Sequence, residues 1–103
     1  MVKAGEILET AAQLVDGERA RLHGDKVENH NCIAGLWSAY LRITQERRVT
    51  GGVDAIDVAN MMILLKVART VSGGDHNIDN YVDAAGYAAV AGEIAERWHK
   101  LRQ

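Results

Sequence analysis

The sequence contains no proline and no phenylalanine, and it carries a single cysteine, Cys32. Each absence removes a class of structure. Without proline, the chain lacks its most reliable helix breaker, so long helices can run uninterrupted. One cysteine excludes an internal disulfide framework and a CxxC metal knuckle. No apolar run approaches the ~20 residues that span a bilayer, so no membrane partner is expected. The stretch from Met1 to Leu14 carries Glu6 and Glu9 and has no signal-peptide pattern, which leads to a cytoplasmic expectation. An excess of charge is also missing: 12 Lys and Arg stand against 14 Asp and Glu, for a net charge of -2. With a pI near 6.0, that balance argues against dedicated nucleic-acid binding. What is present is ordinary for a globular chain: 48% hydrophobic and 25% charged residues in a length of 103. That length suits one domain over 1-103 and not two.

The hydrophobic pattern predicts an all-α fold, a compact four-helix bundle with helices near 3-16, 25-43, 54-72 and 77-101. In the first, Ile7, Leu8, Ala11, Ala12, Leu14 and Val15 recur at helical spacing, and Gly17 is a C-terminal stop. The polar stretch Glu18 to Gly24 either extends this helix or forms a loop. Asp25, with Glu28 three residues on, caps the second helix, whose predicted stripe is Val27, His30, Ile33, Ala34, Trp37, Tyr40 and Leu41. Thr44 to Gly52 reads as a loop. Asp54 and Asp57 suit the first turn of the third helix, where carboxylates meet the positive end of the helix dipole. From Val58 to Val71 this helix is apolar nearly all round, which predicts a central, buried position. The fourth helix is rich in small residues from Ala84 to Gly92 and is expected to pack on more than one side. So apolar a third helix exceeds the needs of one small monomer, and a homo-oligomer with an interface on the third and fourth helices is expected.

Polar side chains on these two apolar helices are the candidates for chemistry. Asp57 and Asn60 lie early on the third helix, and Lys66 and Arg69 late on it. Asp79, Asn80 and Asp83 open the fourth, spaced i,i+3 and i,i+4 so that they can converge. Paired oxygens from two neighbouring helices are what a hard cation such as Mg²⁺ needs, and Mg²⁺ also takes substrate phosphates. Lys66 and Arg69 would hold those phosphates, Arg as a fork and Lys as a point charge. Arg19 and Arg21 could add a phosphate-contacting turn. The structural alternative is direct: Asp54, Asp57 and Asp79 as helix caps, and Asp83 as an ion-pair partner of Lys66 or Arg69. At ~100° per residue, Asp57 and Lys66 point to opposite sides of the third helix, so one pocket in one protomer does not easily use both. The four histidines form no HxxxH or HxH pair, His30 reads as a core residue, Cys32 as a small hydrophobe, and Trp37 as a core anchor. GxxxxGK[ST] and GxGxxG loops are absent.

The segments from Arg19 to Asp25, Leu36 to Leu41, Asp57 to Arg69 and Asp79 to Tyr87, together with Asn29, resemble a family of small phage and prophage proteins of unassigned function. The ordered set GD…N…LW, K-x-x-R and D-N-Y-V-D-x-x-G-Y carries that resemblance over nearly the whole chain. The family is in turn distantly similar to the all-α NTP pyrophosphohydrolases of the MazG-like superfamily. Those are oligomeric bundles that hold Mg²⁺ with Glu-x-x-Glu on one helix and Glu-x-x-Asp on the next. By position, Asp57-x-x-Asn60 stands for the first pair and Asn80-x-x-Asp83 for the second.

This resemblance implies a nucleotide-linked protein, acting in the host-cell cytoplasm if phage-encoded. As an enzyme it would be a Mg²⁺-dependent nucleoside triphosphate pyrophosphohydrolase. Asp83 would be the principal catalytic metal ligand, with Asp57, Asn60, Asp79 and Asn80 beside it. Two of the four motif positions are asparagine, and fewer carboxylates hold Mg²⁺ less tightly. The alternatives are a non-catalytic protein that sequesters a nucleotide or other phosphorylated small molecule, and a purely structural or interaction protein.

Overall fold

The computed structural model describes residues 1-17, 25-48, 51-73 and 76-102. Four helices account for most of them, and no strand occurs among the described residues: α1 (Ala4–Asp16), α2 (Lys26–Arg47), α3 (Ala55–Ser72) and α4 (Asp79–Leu101). The all-α bundle expected from the periodicity is what the chain forms. No described helix is long and apolar enough to cross a membrane.

Helix starts follow the capping residues. The Asp25 carboxylate accepts from the Glu28 N–H at 2.8 Å. At α3 the cap is reciprocal: Asp54 accepts from the Asp57 N–H at 2.8 Å, and Asp57 accepts from the Asp54 N–H at 2.9 Å. Two otherwise orphan N–H groups are thereby satisfied. The second helix is a turn longer than its sequence pattern indicates, ending at Arg47 instead of near Ile43.

α3 is the central element, packed against both α2 and α4. Both pairs are antiparallel. Trp37, Tyr40 and Arg48 of the α2 side meet Met61 and Asp57, while Asn29, earlier on α2, meets Ser72 at the far end of α3. On the other side Lys66 meets Asp83, across a short connection. Central does not mean enclosed. Only Asp57, Ala59, Ala68 and Ser72 of α3 are buried, and Val58, Val67 and Val71 are exposed.

The stripe predicted for α2 holds at Ile33, Trp37, Tyr40 and Leu41 and is corrected at its other three members. Val27, His30 and Ala34 are exposed; Asn29 and Ile33 are buried, followed by half-buried Leu36, Trp37, Tyr40 and Leu41. His30 is therefore a surface residue, its Nδ1 2.7 Å from the Lys26 carbonyl. The expectation for α4 is also corrected. Asn80, Ala84, Tyr87, Ala91, Ile94 and Trp98 recur at helical spacing as its buried and half-buried face. The small residues Ala85, Gly86, Ala88, Ala89 and Gly92 are exposed.

The turn from α2 to α3 depends on Gly52, whose φ of 102° lies in the left-handed half of backbone space that glycine enters freely. Its carbonyl accepts from Gln45 Nε2 at 3.3 Å and from Arg48 Nη1 at 3.2 Å, which ties the loop to the end of α2. A Cβ at Gly52 would meet no neighbour, so the cost of Gly52→Ala is purely conformational. We expect it to be about 1–2 kcal/mol, measured by urea unfolding. Gly51→Ala, placed in ordinary contact 3.4 Å from Gln45 Oε1, should change stability by no more than about 0.5 kcal/mol. Equal costs at the two positions would contradict the role of the positive φ.

Candidate functional site

The candidate residues fall into two groups on opposite faces of α3. The first surrounds Asp57, whose side chain is only 1% exposed. A buried carboxylate must be matched in charge and in hydrogen bonds. Here Arg48 supplies both, as a fork: Nη2 donates to Oδ1 at 2.6 Å and Nη1 donates to Oδ2. Tyr40 Oη donates to Oδ1 at 2.7 Å and accepts from Asn60 Nδ2 at 3.1 Å. With the Asp54 N–H, each carboxylate oxygen has two donors. The Arg48 hydrogen bonds hold Asp57 well below the usual carboxylate range, against a burial effect that opposes ionisation. Burial pushes the Tyr40 hydroxyl up, with Asp57 adding to the rise and Asn60 opposing it. Arg48 is pushed up by its hydrogen bond to Asp57. The arrangement fastens the end of α2 to the start of α3.

The second group lies at the α3–α4 corner. Lys66 Nζ is 2.8 Å from Asp83 Oδ2, with the lysine side chain 12% exposed and the aspartate about half exposed. Arg69 and buried Asn80 line a small polar cleft of about 30 Å³ with Thr70, His76, Asn77 and Tyr81. Asn77 starts α4 by accepting from the Asp79 N–H at 3.0 Å, and Asp79 itself is exposed. A helix-terminal guanidinium, amides, an imidazole and a phenol line this cleft, and such groups can bind an oxyanion by charge and hydrogen bonds; Lys66, one turn before Arg69, lies outside the lining.

These groups do not merge. Lys66 follows Asp57 by nine residues, about 13 Å along the helix axis and on its opposite side. Asn60 turns with Asp57 toward α2, whereas Asn80 and Asp83 face the late part of α3. Among the described residues no three His, Cys, Asp or Glu side chains come together as a metal centre would need. Arg19 and Arg21 lie outside the described residues.

Comparison with known proteins decides the kinship. Residues 6–95 match the family model described as a domain of unknown function (DUF6378). The chain belongs to the DUF6378 family. It is 49% identical over 86 residues to the Gene 55 protein of Mycobacterium phage L5, an alignment covering 82% of this chain and 49% of that protein. Its identity to the Gene 55 protein of Mycobacterium phage D29 is 43% over 90 residues, covering 87% of this chain and 54% of the relative. The DUF6378 chain thus spans about half the length of these curated relatives. They support the phage protein family anticipated from the motifs. No solved structure matches the chain.

Several residues that shape the DUF6378 sites were not legible beforehand. Arg48 sits in the stretch whose charge and glycines read as a loop, yet it neutralises Asp57. The available signal was chemical: a carboxylate on so apolar a helix requires a cation, and Arg47 and Arg48 end the preceding helix. Asn29 is a polar residue that turns inward to meet Ser72, whose Oγ lies 3.0 Å from Asn29 Oδ1 and 2.9 Å from the Ala68 carbonyl. His76, Asn77 and Tyr81 line the cleft with Arg69, a grouping of the end of α3 with the residues at the start of α4.

Proposed function

We propose that this DUF6378 domain is a non-catalytic binding module that takes a phosphorylated small molecule, a nucleotide being the expected class, at the α3–α4 corner. One observation carries the reading: Lys66 and Arg69 share that corner with Asn80 and Asp83, while the Asp57 clamp lies on the other face of α3. Lys66 would exchange its pairing with Asp83 for a phosphate oxygen, Arg69 would fork a second, and Asn80 would hydrogen-bond the ligand. A Mg²⁺-dependent pyrophosphohydrolase would need Asp57, Asn60, Asn80 and Asp83 around a shared centre. Asp57 is committed to Arg48, Tyr40 and the α3 cap, and the residues present do not fit one such centre.

The test is a thermal-shift screen of nucleoside mono-, di- and triphosphates, cyclic nucleotides and inorganic pyrophosphate in the presence of EDTA. At least one is expected to raise the melting temperature, with about 2.7 kcal/mol of stabilisation at a hundredfold excess over Kd. The rise should vanish in Lys66→Ala/Arg69→Ala. A ligand that shifts the double variant equally, or one that binds only with Mg²⁺, would remove this reading. A second reading, a structural or interaction protein, is favoured by the internal pairing of Asp57 with Arg48 and Asp83 with Lys66. It predicts no shift with any small molecule.

A further inference from the structure

α1 is a well-patterned amphipathic helix that buries none of its residues. Ile7, Ala11, Leu14, Val15 and Leu8 fall within a third of its circumference, by the 100° step of the helix. Yet Ile7 is 58% exposed, Leu8 69%, Leu14 45% and Val15 50%. An apolar face of this kind ordinarily meets another element. The α3–α4 corner presents a second apolar group: Val71 at the end of α3, and Ile78 and Val82 at the start of α4, all more than half exposed.

The surface area says how much cover is missing. The chain exposes 7530 Å², whereas a folded monomer of its mass exposes about 5,700 Å². The surplus, about 1,800 Å² per chain, lies within the roughly 1,000–2,500 Å² that each partner buries in an obligate homodimer.

We propose that α1 is a docking arm for a second copy of this chain, its apolar face seated on the partner's α3–α4 corner. Twofold symmetry makes such a contact occur twice: if α1 of one copy reaches the corner of the other, the reverse holds as well. Two reciprocal contacts supply the area that one short helix cannot. The proposal shares the α3–α4 corner with the ligand site above, but it is read from molecular mass without ligand, so the two fail separately.

Sedimentation equilibrium and light scattering from low to high micromolar concentration test it. The wild type is expected at twice its 11.3 kDa chain mass. Ile7→Asp/Leu14→Asp and Val71→Glu/Val82→Glu should each weaken dimerisation by roughly 100-fold or more. Because these side chains are exposed in the single chain, far-UV circular dichroism should show both variants folded. Mixing the two should restore association above either alone, since one of the two reciprocal contacts remains intact in the mixed pair. A monomeric wild type overturns the proposal, as does a dimer that survives the α1 variant. Failure of the mixed pair to associate more strongly than either variant overturns the reciprocal geometry.

Discussion

Replacing Asp57 by asparagine should lower the unfolding free energy by about 3 kcal/mol, the low end for a buried pair, because it removes the charge of a buried carboxylate whose partner Arg48 is 29% exposed. For a domain of this length that corresponds to a fall in Tm of about 12–24 °C. The variant keeps the side-chain shape but loses the charge that Arg48, Tyr40 and the Asp54 N–H all address. Acid sharpens the test. The folded-state pKa of Asp57 is depressed, so its stabilisation is fully present above the unfolded value, about pH 4 for an aspartate. It is lost as the pH falls from there through the folded value. Urea unfolding from pH 6 down to pH 2 should therefore show the gap between wild type and Asp57→Asn narrowing below about pH 4. A gap that is small at neutral pH, or unchanged by acid, would mean that the ion pair does not hold α2 to α3.

Trp37→Ala is expected to cost about 3 kcal/mol, the low end for truncating a large aromatic, because Trp37 is half-buried. Its Nε1 donates to the Met61 carbonyl at 2.7 Å, midway along the α2–α3 contact. Trp37→Phe keeps most of the apolar bulk and should cost about 1 kcal/mol, the size of one lost hydrogen bond. Similar costs for the two variants would show that the hydrogen bond outweighs the packing. If neither moves the urea midpoint, Trp37 anchors nothing.

Local chemistry was the legible part of this fold. Asp25 with Glu28, and Asp54 with Asp57, announce helix starts because a carboxylate three residues from an N–H is a local geometry. The opposed directions of Asp57 and Lys66 are equally local, and the structure turns one to α2 and the other to α4. Asn29 shows where periodicity stops. Of the predicted stripe, Ile33, Trp37, Tyr40 and Leu41 turn inward while Val27, His30 and Ala34 do not, and the place of these is taken by Asn29, which meets Ser72, 43 residues away. Arg48 was hidden for a related reason: a charged stretch beside glycines reads as solvated until a buried carboxylate claims one of its cations. The same long-range pairing decides the candidate sites. The i,i+3 spacings of Asp57 with Asn60 and of Asn80 with Asp83 look equivalent along the chain. The antiparallel packing of α3 on both neighbours sends the first pair to a structural clamp and the second to the corner with Lys66 and Arg69.

Calorimetric titration of the nucleotide or pyrophosphate that gives the largest thermal shift, in EDTA and well below the melting temperature of every variant, compares these two groups directly. If the clamp is structural and the corner binds, Asp57→Asn should retain the wild-type Kd while Lys66→Ala/Arg69→Ala shows no heat of binding. Loss of binding in Asp57→Asn, with the double variant unaffected, would contradict that division.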